Sequence, residues 1–224
     1  RNFDWERHPT LLLFTDPPDG YASVSMVDIS YLGFDRAGPL PASADELKRA
    51  PYLPFDGMNE RGLAVGMMAL DSADAPRDPS KRTLDSLEVI RLLLDYAADV
   101  DEAVALLGQY NIDWGGGPPL HYLLADVSGH SAVVEFVGGE MRVLRNSDTW
   151  QVSTNFVISE TPNYPCGRYE KASAALRAAG GRMSADEAMA VLQSVAQAGS
   201  YPTIWSTVYN LSTGEVRVVM GRKY

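Results

Sequence analysis

One cysteine, three histidines and a few arginine and acid pairs carry the catalytic chemistry open to this chain. A conventional thiol nucleophile would need His8, His121 or His130 folded beside Cys166. Cys166 sits internally between Pro165 and Gly167 without a free amine, so it reads as a structural or incidental thiol. His121, between Leu120 and Tyr122 at the start of an expected strand, reads as a packed histidine. Arg1 and Asp4, three residues apart, have the make-up of a surface ion pair worth under about 1 kcal/mol. Taken alone, Asn155 is a strand-ending turn residue, Arg168 a helix-start surface residue and Asn59 a hairpin turn former. Gly115-Gly116-Gly117-Pro118-Pro119 lacks the following helix whose amides an anion cradle requires, which leaves a plain loop. There is no phosphate loop ending in Lys-Ser/Thr, no paired-histidine helix, no nucleophile elbow and no Cys/His spacing of a zinc site. No cofactor is implied.

Periodicity sets out the strands and helices that carry these side chains. An apolar run over 11–14, dense turn chemistry over 15–20 and renewed alternation over 21–28 predict strand, loop, strand. A Pro-rich loop is expected over 38–54. The turn Met58-Asn59-Glu60-Arg61-Gly62 then feeds a buried strand over 63–70, whose glycine signals close backbone contact. A helical period covers 84–97, with Thr83 as N-cap, and a second helix covers 100–107. Strands over 120–127, 131–137 and 141–144 follow as hairpins, and 151–155 closes that group. Helices over 169–178 and 184–198, the second opened by a capping box at Ser184 and Glu187, precede a last hairpin of 204–211 and 215–220. Blocks of strands alternating with blocks of helices argue for antiparallel sheets covered by helices, not for a repeating βαβ fold. With no internal repeat or linker, 224 residues fit a single domain, 1–224.

Four short segments, in order, carry a resemblance to a known family. Arg1-Asn2-Phe3-Asp4-Trp5 resembles the Arg-x-x-Asp-aromatic segment that follows the N-terminal Cys strand in choloylglycine hydrolases, penicillin V acylases and related linear amide hydrolases. Asp56-Gly57-Met58-Asn59-Glu60-Arg61-Gly62-Leu63 is similar to that family's Asp-Gly-Met-Asn-Glu-Lys-Gly-Leu segment, the most specific of the four. Ser153-Thr154-Asn155 resembles its Thr-Asn strand end, and Gly167-Arg168-Tyr169 the segment opening its next helix. The short gap between these last two looks more like the acyl-coenzyme A:6-aminopenicillanic acid acyltransferase branch than the bile salt hydrolases.

The resemblance implies an α+β fold, the four-layer αββα sandwich of N-terminal-nucleophile (Ntn) hydrolases, with two antiparallel sheets covered by helices. It places the nucleophilic Cys, whose own α-amine serves as base, one strand upstream of Arg1, so the domain as given is expected to lack its first strand and nucleophile. On that pattern Arg1 and Arg168 stabilise the thiolate and orient the acyl group, and Asp4 accepts a hydrogen bond from the α-ammonium. Asn155 donates to the oxyanion, with a backbone N–H near Ala69 as second donor. Met68 and Ala69 are the expected substrate-binding positions, and Ala69 is small and apolar where relatives often carry Asn or Tyr.

The composition agrees with a small-molecule enzyme. Hydrophobic residues make up 46% and charged ones 21% of the chain, the balance of a globular protein. A net charge of −10 repels phosphate backbones, so nucleic acid is not an expected partner. No apolar run approaches the roughly 20 residues of a spanning helix, which leaves a cytoplasmic or an exported protein. The expected function is hydrolysis of a linear C–N amide in a small N-acyl compound. The alternatives are an acyltransferase using the same thioester and a catalytically inactive relative that binds an acyl ligand or serves as an assembly subunit. A homo-oligomer is compatible with all three.

Overall fold

A computed structural model describes residues 1–34 and 44–224. Among these, the strands are β1 (Asn2–Asp4), β2 (Thr10–Thr15), β3 (Ser23–Asp28), β4 (Pro54–Asn59), β5 (Ala64–Ala69), β6 (Thr83–Asp85), β7 (Asn111–Asp113), β8 (Leu120–Ala125), β9 (Ser131–Val137), β10 (Glu140–Arg145), β11 (Thr203–Tyr209) and β12 (Val216–Met220). The helices are α1 (Ser86–Tyr96), α2 (Val100–Leu107), α3 (Gly167–Ala178) and α4 (Ala185–Ser194), with 3-10 helices at Ile29–Leu32 and Ala44–Tyr52.

Hairpin chemistry builds the larger sheet, an antiparallel run in the order β10-β9-β8-β5-β4-β3-β2. Strands β3 and β4 are covered on both faces: every residue of the two is buried, the polar Ser25, Asp28, Asp56 and Asn59 included. Asn59 closes the β4–β5 hairpin by accepting from the N–H groups of Arg61 and Leu63, and its amide donates to the carbonyls of Leu94 and Ala97 beyond the turn. Gly62, at φ 81°, supplies the left-handed residue of that turn. The smaller sheet, β1-β11-β12, joins the two ends of the chain.

α1 packs on β4 and β5, burying Leu87, Val89, Ile90, Leu93 and Leu94, and α2 packs on β8 and β9, burying Val100, Ala103 and Leu107. α4 packs on β11. Between the two sheets Phe3 of β1 stacks on Trp205 of β11 at 4.1 Å and meets Phe55 of β4 edge-on at 5.2 Å. The order is therefore helix, sheet, sheet, helix. Burial of Trp205, which is fully enclosed, makes this seam a major source of stability, since truncating such a residue to Ala costs about 3–5 kcal/mol.

Four local expectations are corrected. The N-cap of α1 is Asp85, which forms a capping box with Glu88; Thr83 instead lies in β6, paired parallel with β7, so not all pairing is antiparallel. Residues 44–52 of the expected loop form a 3-10 helix whose Ala50 is buried in a satellite cluster with Val27, Ile29, Leu32 and Phe34, and residue 54 already begins β4. Residues 38–43 of that loop lie outside the described residues. Residues 151–155 form no strand: side chains replace the ladder, with Gln151 donating to the Leu144 carbonyl and His121 meeting the Thr154 carbonyl. The helix expected over 184–198 ends at Ser194.

Candidate active site

β1 sorts its side chains by alternation. Arg1 and Phe3 enter the seam between the sheets, and Asn2 and Asp4 turn toward α4 and the segment after it. Asn2 donates to the Leu192 carbonyl of α4 at 2.8 Å and accepts from Ser206 at 2.7 Å. A register shift places Phe3 opposite Trp205 but Asp4 opposite Thr203, leaving Ile204 as the extra residue of a bulge. Bulges re-aim side chains near functional sites, and this one brings the Thr203 hydroxyl 2.5 Å from Asp4 Oδ1. Asp4 Oδ2 accepts from Gln197 at 2.7 Å and from Arg168 Nη1 at 3.1 Å.

Arg168, at the start of α3, bridges two of the expected residues. Its Nη2 donates to Asn155 Oδ1 at 2.8 Å, and Asn155 Nδ2 donates to the Ala69 carbonyl at 2.9 Å. Asp4, Arg168, Asn155 and Ala69 thus form one chain of contacts, drawn from β1, α3, the segment before α3 and the end of β5. One amide hydrogen of Asn155 is left for another acceptor. The Leu70 N–H next to Ala69 is committed to the Pro119 carbonyl at 2.8 Å, so it is not a free second donor.

Arg1 and Asp4 do not pair with each other. Arg1 crosses to the larger sheet, where Nε lies 2.6 Å from Asp56 Oδ2 and Nη1 donates to the Met67 carbonyl at 2.5 Å. Gly66 leaves room for its path: a Cβ there would lie 2.9 Å from Arg1 Nη1. Asp56 is fully buried and also accepts from Trp205 Nε1 at 3.0 Å and the Tyr209 hydroxyl at 2.5 Å. Burial, and then the adjacent Asp56 charge, push the Tyr209 hydroxyl well above the ordinary tyrosine range.

All six expected site residues, Arg1, Asp4, Met68, Ala69, Asn155 and Arg168, line one cavity of about 860 Å³. Its remaining wall is largely apolar and aromatic, including Trp5, Tyr31, Phe55, Trp114 and Tyr201. Such a wall suits an apolar ligand, with the polar chain from Asp4 to Asn155 along one side. Among the described residues no cluster of His, Cys, Asp and Glu could hold a metal ion, and no helix is long and apolar enough to cross a membrane.

Sequence reasoning missed the groups that hold these residues. Asp56 was visible only as part of a motif, and Gln197, Thr203 and Tyr209 gave no signal, because each meets a partner about 150 to 200 positions away. Glu135 was missed as well. It is fully enclosed, and burial alone would raise its pKa, but the neighbouring His121 ring and the bonds from Ser159 and Ile158 outweigh this and hold it at about 2. Cys166 lies at the N-cap of α3, its Sγ 3.4 Å from Thr154 Oγ1. Burial opposes ionisation of this thiol, yet the Thr154 hydroxyl, the Tyr169 and Arg168 amides and the Arg168 charge leave its pKa lowered. His8 meets Asp28, and His121 meets Glu135 and the Thr154 carbonyl, while the Cys166 thiol meets the Thr154 hydroxyl.

Residues 44–165 match the family model of linear amide C–N hydrolases, choloylglycine hydrolase family. The chain belongs to this family. Penicillin V acylase from Pectobacterium atrosepticum is 29% identical over 171 residues, covering 69% of this chain and 44% of that protein. The chain spans less than half the length of the curated relatives it matches. Among solved structures, penicillin V acylase from Agrobacterium tumefaciens aligns with a TM-score of 0.67 at 21% identity, over 100% of this chain and 82% of that one. A variant of conjugated bile acid hydrolase from Clostridium perfringens aligns with a TM-score of 0.72 at 16% identity, over 100% and 88%. These likenesses establish the αββα sandwich of choloylglycine hydrolase relatives as the fold.

Proposed function

We propose that this member of the choloylglycine hydrolase family hydrolyses a linear C–N amide bond in a small N-acyl compound, using an N-terminal Cys that lies ahead of Arg1 in the full protein. The observation that carries this reading is the convergence of Asp4, from the start of the chain, with Asn155 and Arg168 on one largely apolar cavity. The thiol passes its proton to its own α-amine, and the thiolate attacks the amide carbonyl carbon. Asp4, which already accepts three bonds, has room for a fourth from the α-ammonium. The free amide hydrogen of Asn155 meets the oxyanion of the tetrahedral intermediate, a contribution of about 3 kcal/mol in comparable sites. The C–N bond breaks as the α-ammonium returns its proton to the leaving amine. Water then attacks the acyl-thioester, releasing the carboxylic acid and restoring the thiol.

Met68 and Ala69 form the floor beneath the acyl carbonyl, and the aromatic wall takes the acyl chain. Arg1, held in the cavity wall by Asp56 and the Met67 carbonyl, stabilises the thiolate and orients the acyl group in this reading. The test is intact mass of the mature N-terminus of the full-length protein, followed by incubation with a panel of N-acyl amides with and without an added amine. An N-terminal Cys and release of free acid at equal rates in both arms are expected. Amide formation with the added amine would instead assign an acyltransferase. A mature start other than Cys, Ser or Thr, with neither product formed, would leave only an acyl-ligand binder.

A further inference from the structure

The segment 151–159 brings Asn155 into the cavity wall without belonging to any sheet, and two fully buried ionisable residues lie beneath it. His121 stands on β8, opposite Met68 of β5, and Glu135 on β9 is one rung beyond the Tyr122 and Val134 pair. The Glu135 carboxylate accepts the N–H groups of Ile158 at 2.6 Å and Ser159 at 2.9 Å, one on each oxygen. Its Oε1 lies 3.5 Å from His121 Nδ1. On the other side of that ring, His121 Nε2 lies 2.6 Å from the Thr154 carbonyl and 3.3 Å from Ser153 Oγ. Because a carbonyl oxygen can only accept, Nε2 carries the proton toward Thr154. The pair therefore grips the chain immediately before Asn155 and again three and four residues after it.

Stability alone gives no reason for a carboxylate and an imidazole at this depth, since an apolar pair of similar volume costs less to bury. Position does give one. A segment without a ladder has no register of its own, and the side chain it presents is only as well aimed as the contacts that fix its backbone.

Resting on the amide-hydrolase reading above, we propose that Glu135 and His121 are positioning residues that aim the Asn155 amide by clamping the backbone on both sides of it. Loss of the clamp should act on the transition state more than on substrate binding, so kcat falls while KM holds.

The experiment uses the full-length protein in five forms: unmodified, Glu135→Gln, His121→Phe, His121→Gln and Val134→Ala. Gln at position 135 keeps one acceptor where two are needed. Phe at 121 keeps a ring without the donor, and Gln restores a donor toward Thr154. Val134→Ala, in the neighbouring buried position, lowers stability without touching the segment. Hydrogen exchange at the Ile158 and Ser159 amides and steady-state kinetics on N-acyl amides are measured on each. Glu135→Gln is expected to lose protection at both amides while α1 keeps it, with kcat down roughly tenfold or more and KM within about threefold. His121→Phe is expected to lose kcat likewise, His121→Gln to recover much of it, and Val134→Ala to keep it. Unchanged exchange and kcat in Glu135→Gln overturn the proposal, as does an equal kcat loss in Val134→Ala. Should Glu135→Gln fail to fold, equal kcat in His121→Phe and His121→Gln overturns it. If the unmodified protein cleaves no amide, the hydrolase reading fails, and the exchange result still decides whether the clamp exists.

Discussion

Arg1 with Asp56 and Arg168 with Asp4 are the same pair of chemical groups in two settings, anchored three residues apart in the chain. In the first, the side chains are 14% and 0% exposed and the nitrogen and oxygen approach to 2.6 Å; in the second they are 30% and 12% exposed and 3.1 Å apart. Asp56 also accepts from Trp205 and Tyr209 within the seam, whereas Arg168 lies at the start of α3 on the cavity rim and reaches Asn155 with its other nitrogen. A pair whose carboxylate is wholly enclosed keeps its partners. A rim pair can shift its donors toward a ligand at little cost. The difference separates a group that fixes the frame from one that answers to what enters the cavity.

Replacing Asp56 by Asn tests the frame and carries the largest expected effect. The guanidinium of Arg1 would remain buried without a counter-charge, a situation that costs about 3–5 kcal/mol. Urea denaturation should show a lower midpoint at an unchanged slope. Asp4→Asn, measured in the same way, should cost less than half as much, because Arg168 can turn to water. Equal losses in the two variants would erase the distinction.

Asn155→Ala tests the rim next. Its amide is exposed, so unfolding free energy should change by less than about 1 kcal/mol. In the full-length protein kcat should nevertheless fall by about 10²–10³, the loss seen when one oxyanion donor is removed. A variant that loses stability and keeps kcat would move Asn155 from the chemistry to the frame.

Acid offers a third way to separate the regions. The carboxyl of Glu135 is held at about 2 in the folded chain against an ordinary value of about 4.5. Its folded value is depressed, so its contribution to stability is complete above about pH 4.5 and is lost as pH falls toward 2. Amide exchange at Ile158 and Ser159, corrected for intrinsic rates, should accelerate across that window before the amides of α1 lose protection. Simultaneous loss in both places would mean that the segment under Asn155 has no local stability of its own.

How much of this was legible depends on distance along the chain. The hairpins of β8, β9 and β10 and the capping box at Ser184 are local, and their turn residues and periods announce them. Gly66 signalled a close approach, but nothing nearby named Arg1 as the group that approaches. The pairing of β1 with β11 joins residues about 200 positions apart, and with it come the Asp4 partners Thr203 and Gln197. Residues 151–155 follow a block of strands and are expected to close it, and only the tertiary contacts of His121 and Gln151 reveal why no ladder forms. Asp4, Asn155 and Arg168 were visible through family resemblance, because each alone has the composition of an ordinary turn or surface residue.

Arg168→Lys carries the smallest expected effect and bears most directly on the comparison. The charge stays, so attraction to Asp4 largely persists, and a rim pair of this exposure is worth about 0–1 kcal/mol. What goes is the planar fork that holds the Asp4 carboxylate with one nitrogen and Asn155 Oδ1 with another. Lysine, a single point of charge, can satisfy one of these and must release the other. The melting temperature should therefore move little while kcat drops roughly tenfold through a loosened Asn155. Arg1→Lys should reverse the pattern, because there the lost fork served Asp56 and the Met67 carbonyl inside the seam, and calorimetry should record a drop in melting temperature larger than that of Arg168→Lys. If both variants behave alike, burial is not what distinguishes the two pairs.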